Sequence, residues 1–167
     1  SNGVVNVDTS AAKTVSVAGA STNNYNHTGM FVAILVTAVT GTTPTLVCKL
    51  QWSPDNCTTW VDWDTTNLQT ASITTTGTYV LKAFPGAANT ANSSANTIVP
   101  RQWRVYYTVG GTTPSFTLAS WASYTAPSTS RSRRRPRSRG SSSSSTVRSS
   151  SRSVRPGAPA STSASSW

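Results

Sequence analysis

Apolar and polar residues alternate in several short segments of the first 126 positions, a period of two that predicts β-strands. Residues 30–39 are the most apolar run and read as a strand buried on both faces. Residues 45–52 place Leu46, Cys48, Leu50 and Trp52 on one face and Val47, Lys49 and Gln51 on the other. Short strands are expected at residues 3–8, 11–17 and 59–63, and a clearer one at 77–84, with Tyr79, Leu81 and Ala83 opposite Val80, Lys82 and Phe84. Residues 101–109 alternate Trp103, Val105 and Tyr107 with Arg104 and Tyr106, and residues 115–124 follow as a further strand. Between them lie polar or small-residue segments: 18–29 with its asparagines and His27, the turn Ser53-Pro54-Asp55-Asn56, a Thr-rich stretch at 65–76 that reads as strand or loop, and 85–96. No helical period runs longer than a turn. Seven to nine strands, with turn signals every 8–12 residues, predict an all-β fold: an antiparallel β-sandwich, Ig-like or jelly-roll-like.

Two stretches are near copies, about seventy residues apart. The first runs Val36-Thr37-Ala38-Val39-Thr40-Gly41-Thr42-Thr43-Pro44-Thr45-Leu46-Val47. The second runs Tyr106-Tyr107-Thr108-Val109-Gly110-Gly111-Thr112-Thr113-Pro114-Ser115-Phe116-Thr117. In each, a β-branched or aromatic run enters Gly-Thr-Thr-Pro and another leaves it. Glycine permits the backbone angles of a tight reversal and proline fixes φ, so each copy is expected to form a β-hairpin. Two copies are too few for a solenoid and suggest two faces of one sandwich or a duplicated unit.

Composition divides the chain. Residues 1–126 hold all four acids (Asp8, Asp55, Asp62, Asp64) against five bases, a net of +1. Residues 127–167 hold nine arginines and no acid, so they carry the rest of the net +10. The first part has the size of one domain with one core. The second is Ser, Arg, Pro and Gly, too poor in apolar side chains to offset the cost of ordering its backbone, and is expected to be a disordered basic tail. Its arginine cluster, Arg131, Arg133, Arg134, Arg135, Arg137 and Arg139, is the candidate partner-binding segment, for an acidic protein surface or for nucleic acid. No aromatic interleaves that cluster, which argues against base stacking. A basic Ser/Arg/Pro/Gly text without acids also matches a frameshifted extension or a plain spacer.

A globular part so poor in charge and so rich in threonine fits a β domain that hides surface in an assembly. No run of eighteen apolar residues is present, so no membrane span is expected, and the chain begins without a signal-peptide pattern. Cys48 and Cys57 lack the pattern of a disulfide framework or a metal site and read as two reduced thiols, one buried. Asp62 and Asp64, two apart, are the one candidate carboxylate pair, although solvated acids beside Trp60 and Trp63 are the plainer reading. No phosphate loop, His-Glu metal motif or nucleophile elbow occurs. No catalytic residue, cofactor or metal is therefore expected. Trp52, Trp60, Trp63, Trp103 and Trp121 lie on or beside strands, as core residues or as a sugar-stacking row.

The segments Gln51-Trp52-Ser53-Pro54-Asp55, Thr58-Thr59-Trp60-Val61-Asp62 and residues 104–117 resemble small β-sandwich structural proteins of tailed-bacteriophage virions. The resemblance covers residues 30–124 and implies a non-enzymatic virion component: a capsid decoration or minor capsid protein on the outer shell, or a minor tail protein. It implies a homo-oligomer that contacts the major capsid protein or other virion proteins, made in the host cytoplasm and located on the capsid surface. Segments 18–29 and 85–98 and the tail are the expected contact regions. A secreted carbohydrate-binding module and a nucleic-acid binder acting through the tail are the alternatives.

Overall fold

The two Gly-Thr-Thr-Pro copies meet each other midway along the longest pair of strands. In the computed structural model, which describes residues 3–125, the first copy lies within β4 (Gly29–Trp52) and the second within β8 (Gln102–Thr125). These two strands pair antiparallel over almost their whole length, from Gly29 opposite Thr125 to Trp52 opposite Trp103. The motifs cross at the midpoint, where Thr42 faces Thr112 and the register shifts on either side. The approach is reciprocal. A Cβ on Gly41 would lie 2.6 Å from the Thr113 carbonyl oxygen, and one on Gly111 would lie 2.5 Å from that of Thr43. Both glycines have left-handed φ, 116° and 108°, which the absence of a side chain makes inexpensive.

The expected hairpins are thus replaced by a corner. In a hairpin each return strand would pair with its own incoming strand; here residues 45–52 pair with 103–110 instead. Each copy finds in the other the backbone donors and acceptors it needs, which an isolated tight turn would have had to supply alone. Positive φ at Thr43 (49°) and Thr113 (47°) completes the bend.

Beyond the corner the ribbon doubles back. Trp103 and Tyr124 are 21 residues apart in one strand, roughly 70 Å if it ran straight. Yet Trp103 Nε1 donates to the Tyr124 hydroxyl at 2.9 Å. One arm comprises residues 29–40 and 115–125. It is extended by β1 (Val4–Lys13) beside β8 and by β6 (Gly77–Ala83) beside β4, with β7 (Ser94–Ala95) parallel to β6. The other arm comprises residues 45–52 and 102–110, extended by β2 (Val17–Ala18), β3 (Thr22–Asn23) and β5 (Val61–Asp62). The domain is all-β and, apart from the β6–β7 pair, antiparallel, with eight strands joined by hydrogen bonds into one sheet.

The arms enclose one core. Met30, Val32, Ile34, Val36, Leu118 and Tyr124 come from the first arm, and Leu46, Leu50, Trp103, Val105 and Tyr107 from the second. Residues 65–76, read from sequence as strand or loop, form a strap along the edge of β4, held by Leu46 N to Ile73 O (2.9 Å) and Thr70 N to Cys48 O (2.8 Å). The strap buries Leu68 and Ile73. Residues 30–36 differ from the expectation of burial on both faces: Met30, Val32, Ile34 and Val36 are buried, while Phe31, Ala33 and Leu35 on the other face are only partly covered.

Candidate functional site

The acids are used by the fold. Tyr107 donates to Asp8 Oδ2 at 2.6 Å; since its proton goes there, Ser120 must donate to the Tyr107 oxygen across 3.0 Å. This chain pins both arms to β1. Burial, then the Asp8 contact, pushes the Tyr107 phenol well above its ordinary value, so it stays a donor. Asp55 accepts from Ser53 Oγ and from Thr59 N, which lowers its pKa, and so organises the turn after β4.

Asp62 and Asp64 do not form a carboxylate pair. Asp62 takes Lys49 Nζ at 2.7 Å and Gln51 Nε2 at 2.8 Å, whereas Asp64 caps the next turn through Thr66 N, Asn67 N and Asn67 Nδ2, each at 2.9 Å. Their side chains serve separate partners although they are only two apart, because Asp62 belongs to β5 and Asp64 to the turn beyond it. Burial raises both carboxyls, but the hydrogen bonds outweigh it and hold each below the usual range. No group of three or more His, Cys, Asp or Glu able to hold a metal occurs among the described residues. Cys48 and Cys57 are free thiols, and burial pushes Cys48 up to about 12, far from a reactive thiolate.

The outer faces of the arms differ. On the second arm, the Arg104 guanidinium lies over the Trp60 ring at 4.2 Å, and its Nε donates to Gln51 Oε1 at 2.9 Å. Gln51 passes the chain on to Asp62 and so to Lys49, whose ammonium lies 5.5 Å from the centre of the Tyr106 ring. Lys49, Gln51, Asp62 and Arg104 are thus linked to one another within the domain.

On the first arm the outward residues are mostly apolar, with the polar Thr78, Lys82 and Ser123 among them. Cross-strand pairing sets Ala33 between Trp121 and Val80, and Leu35 between Ala119 and Thr78. Phe31 stacks on Phe84 with ring centres 5.7 Å apart. Lys82, opposite Phe31, is the one charged residue in these rows. The tryptophans therefore make no single stacking row: Trp103 is buried, Trp60 faces out of one arm and Trp121 out of the other. The apolar residues on both faces of residues 30–36 are the signal of this second apolar face, which a doubly buried strand would also produce.

A cleft of about 450 Å³ opens at one end of the domain, lined by residues 24–28 with Val99 and Arg101. Asn24 builds its floor. Its carboxamide accepts from His27 N at 3.0 Å and donates to His27 O at 2.8 Å and Val99 O at 3.1 Å. His27 stacks on Tyr124, ring centres 4.9 Å apart, and its Nδ1 meets Thr125 O at 3.1 Å; a carbonyl only accepts, so Nδ1 carries the proton. Segments 18–29 and 85–98, expected as contact regions, meet close to this cleft. Most of 85–98 is tied to its own domain, through Lys82 N to Ser93 O (2.8 Å) and Gly86 N to Asn96 Oδ1 (2.9 Å). The tail and its arginines, Arg131, Arg133, Arg134, Arg135, Arg137 and Arg139, lie outside the described residues. Comparison with protein-family models, with curated proteins and with solved structures finds no match for this chain.

Proposed function

We propose that the chain is a structural component of a tailed-phage virion, a decoration or minor capsid protein whose folded domain docks onto the outer shell. The observation that carries the docking part is the outer face of the first arm: Phe31, Ala33, Leu35, Trp121 and Val80, all at least partly accessible, lie side by side across three strands with one lysine at their margin. Such a face gains free energy when another protein covers it, at roughly 25 cal/mol per Å² of apolar surface removed from water. The phage assignment draws on the resemblance of residues 51–62 and 104–117. The use of all four aspartates in turns, pins and an ion pair is consistent with a domain built to hold its shape. Many copies on a repeating shell would add their individually modest contacts through multivalency.

The test is reconstitution. Shells purified without the chain are mixed with the full-length protein, and the bound copies are counted by quantitative mass spectrometry. Saturable binding at a fixed ratio to the shell protein is the expected result. A chain that never co-purifies with particles, or that binds only in proportion to its concentration, contradicts the proposal.

A further inference from the structure

The cleft beside residues 24–28 has a rigid frame and an unanswered charge. Asn24 is buried, and its three side-chain hydrogen bonds, with Asn24 N to Arg101 O at 2.7 Å, fix the two loops to each other. The stacked and hydrogen-bonded His27 ring forms one wall. Among the described residues the Arg101 side chain makes no hydrogen bond and no ion pair. At the same end of the domain two large side chains stand in solvent, Tyr25 at 79% exposure and Ile98 at 66%. Tyr25, Val99 and Arg101 line the concavity and Ile98 adjoins it in sequence, an aromatic, aliphatic and arginine set of the kind that anchors interfaces.

The chain itself has no carboxylate side chain to spare for Arg101. Its acids number four, all aspartates, and each already accepts hydrogen bonds within the domain: Asp8 from Tyr107, Asp55 from Ser53 and Thr59, Asp62 from Lys49 and Gln51, Asp64 from Thr66 and Asn67. A second copy offers the same set, equally committed. With Arg101 exposed and these four aspartates engaged, the cleft is open to a carboxylate from a different molecule.

We propose that this cleft binds a carboxylate side chain of an acidic segment belonging to another protein, with Arg101 as the ionic anchor and Tyr25 and Ile98 covering the flanking residues. Such a segment is taken whatever particle the domain sits on. Failure here leaves the docking of the apolar face untouched, and the reverse holds too, because the face and the cleft share no residue.

The experiment uses the full chain, isotope-labelled for residue-resolved NMR, titrated with acetylated and amidated hexaglutamate and, in parallel, with hexaglutamine. The tail arginines attract any polyanion, so the reading is confined to the backbone amides of residues 24–28, 99 and 101. Saturable shifts at these amides with hexaglutamate and none with hexaglutamine are expected. Arg101→Gln, an exposed substitution, should raise the Kd read there by roughly threefold to fivefold, the upper part of the range of one exposed ion pair. Tyr25→Ser should weaken binding with the overall spectrum unchanged. Equal shifts with both peptides, no shift at saturation, or an Arg101→Gln chain that binds as well as the parent overturns the proposal. So do cleft shifts that follow protein concentration without peptide, which would assign the cleft to a second copy.

Discussion

The two arms share one construction and present opposite exteriors. Each is half of the same pair of strands, and each turns an alternating set of apolar side chains into the common core. Outward, the second arm shows Lys49, Gln51, Asp62 and Arg104, linked to one another and shielded by Trp60 and Tyr106. The first arm shows Phe31, Ala33, Leu35, Val80 and Trp121 with one lysine beside them. The inner faces are therefore about folding, and the difference between the outer faces is about company. One exterior has its polar groups answered and suits water; the other leaves apolar surface that association would cover.

The comparison breaks most completely at the corner that joins the arms. Gly41→Val would force a branched side chain into left-handed φ and against the Thr113 carbonyl and Pro114. We expect a loss of about 3 kcal/mol or more, read as a lowered midpoint in denaturant, and the same from Gly111→Val. The two effects should be close in size because the contacts are reciprocal. A large loss for one glycine alone would mean that the copies are not equivalent supports.

Next in size is the pin between the arms. Tyr107→Phe removes the donor that Asp8 holds and the acceptor that Ser120 uses, leaving Ser120 buried without that partner. A loss of about 1–3 kcal/mol is expected. Ser120→Ala alone should cost less, because Tyr107 keeps its bond to Asp8.

The smallest stability effect lies on the second arm's exterior. Asp62→Asn should cost no more than about 1 kcal/mol, as expected of a solvent-accessible ion pair. The folded-state pKa of Asp62 is depressed below its ordinary value of 3.8, so its contribution is present above that value and lost as pH falls through the lower folded-state value. The parent should lose stability on acidification in that window more than Asp62→Asn does. An identical acid profile for both would show that the Lys49 and Gln51 contacts contribute nothing to folding.

The strands were legible in the sequence, and the route between them was not. Alternation at residues 45–52, 77–84 and 101–109 marked the strands because a buried face repeats every second residue whatever the topology. Gly-Thr-Thr-Pro was legible as a bend. Whether a bend closes a hairpin or turns a corner depends on which distant strand supplies the hydrogen bonds, and neither copy encodes that alone. Their near identity was the available clue, since two matching segments placed antiparallel bring each glycine against the other's proline. At the site, Asp62 and Asp64 were visible as a pair only through spacing, whereas Asp62 is drawn to Lys49 in β4 and Asp64 turns to Asn67, three residues on in its own turn. The Arg101 cleft left no local signal, because Asn24 reaches Val99 across 75 positions.

Under the proposed function, the exterior of the first arm is a docking surface. Leu35→Lys combined with Trp121→Ser replaces partly covered apolar side chains outside the core cluster, so the midpoint of unfolding should move little. The deciding measurement is the number of copies bound per shell for this variant beside the parent chain. The account predicts saturation by the parent and near-complete loss of binding by the variant at equal fold stability. Equal occupancy by both would contradict it.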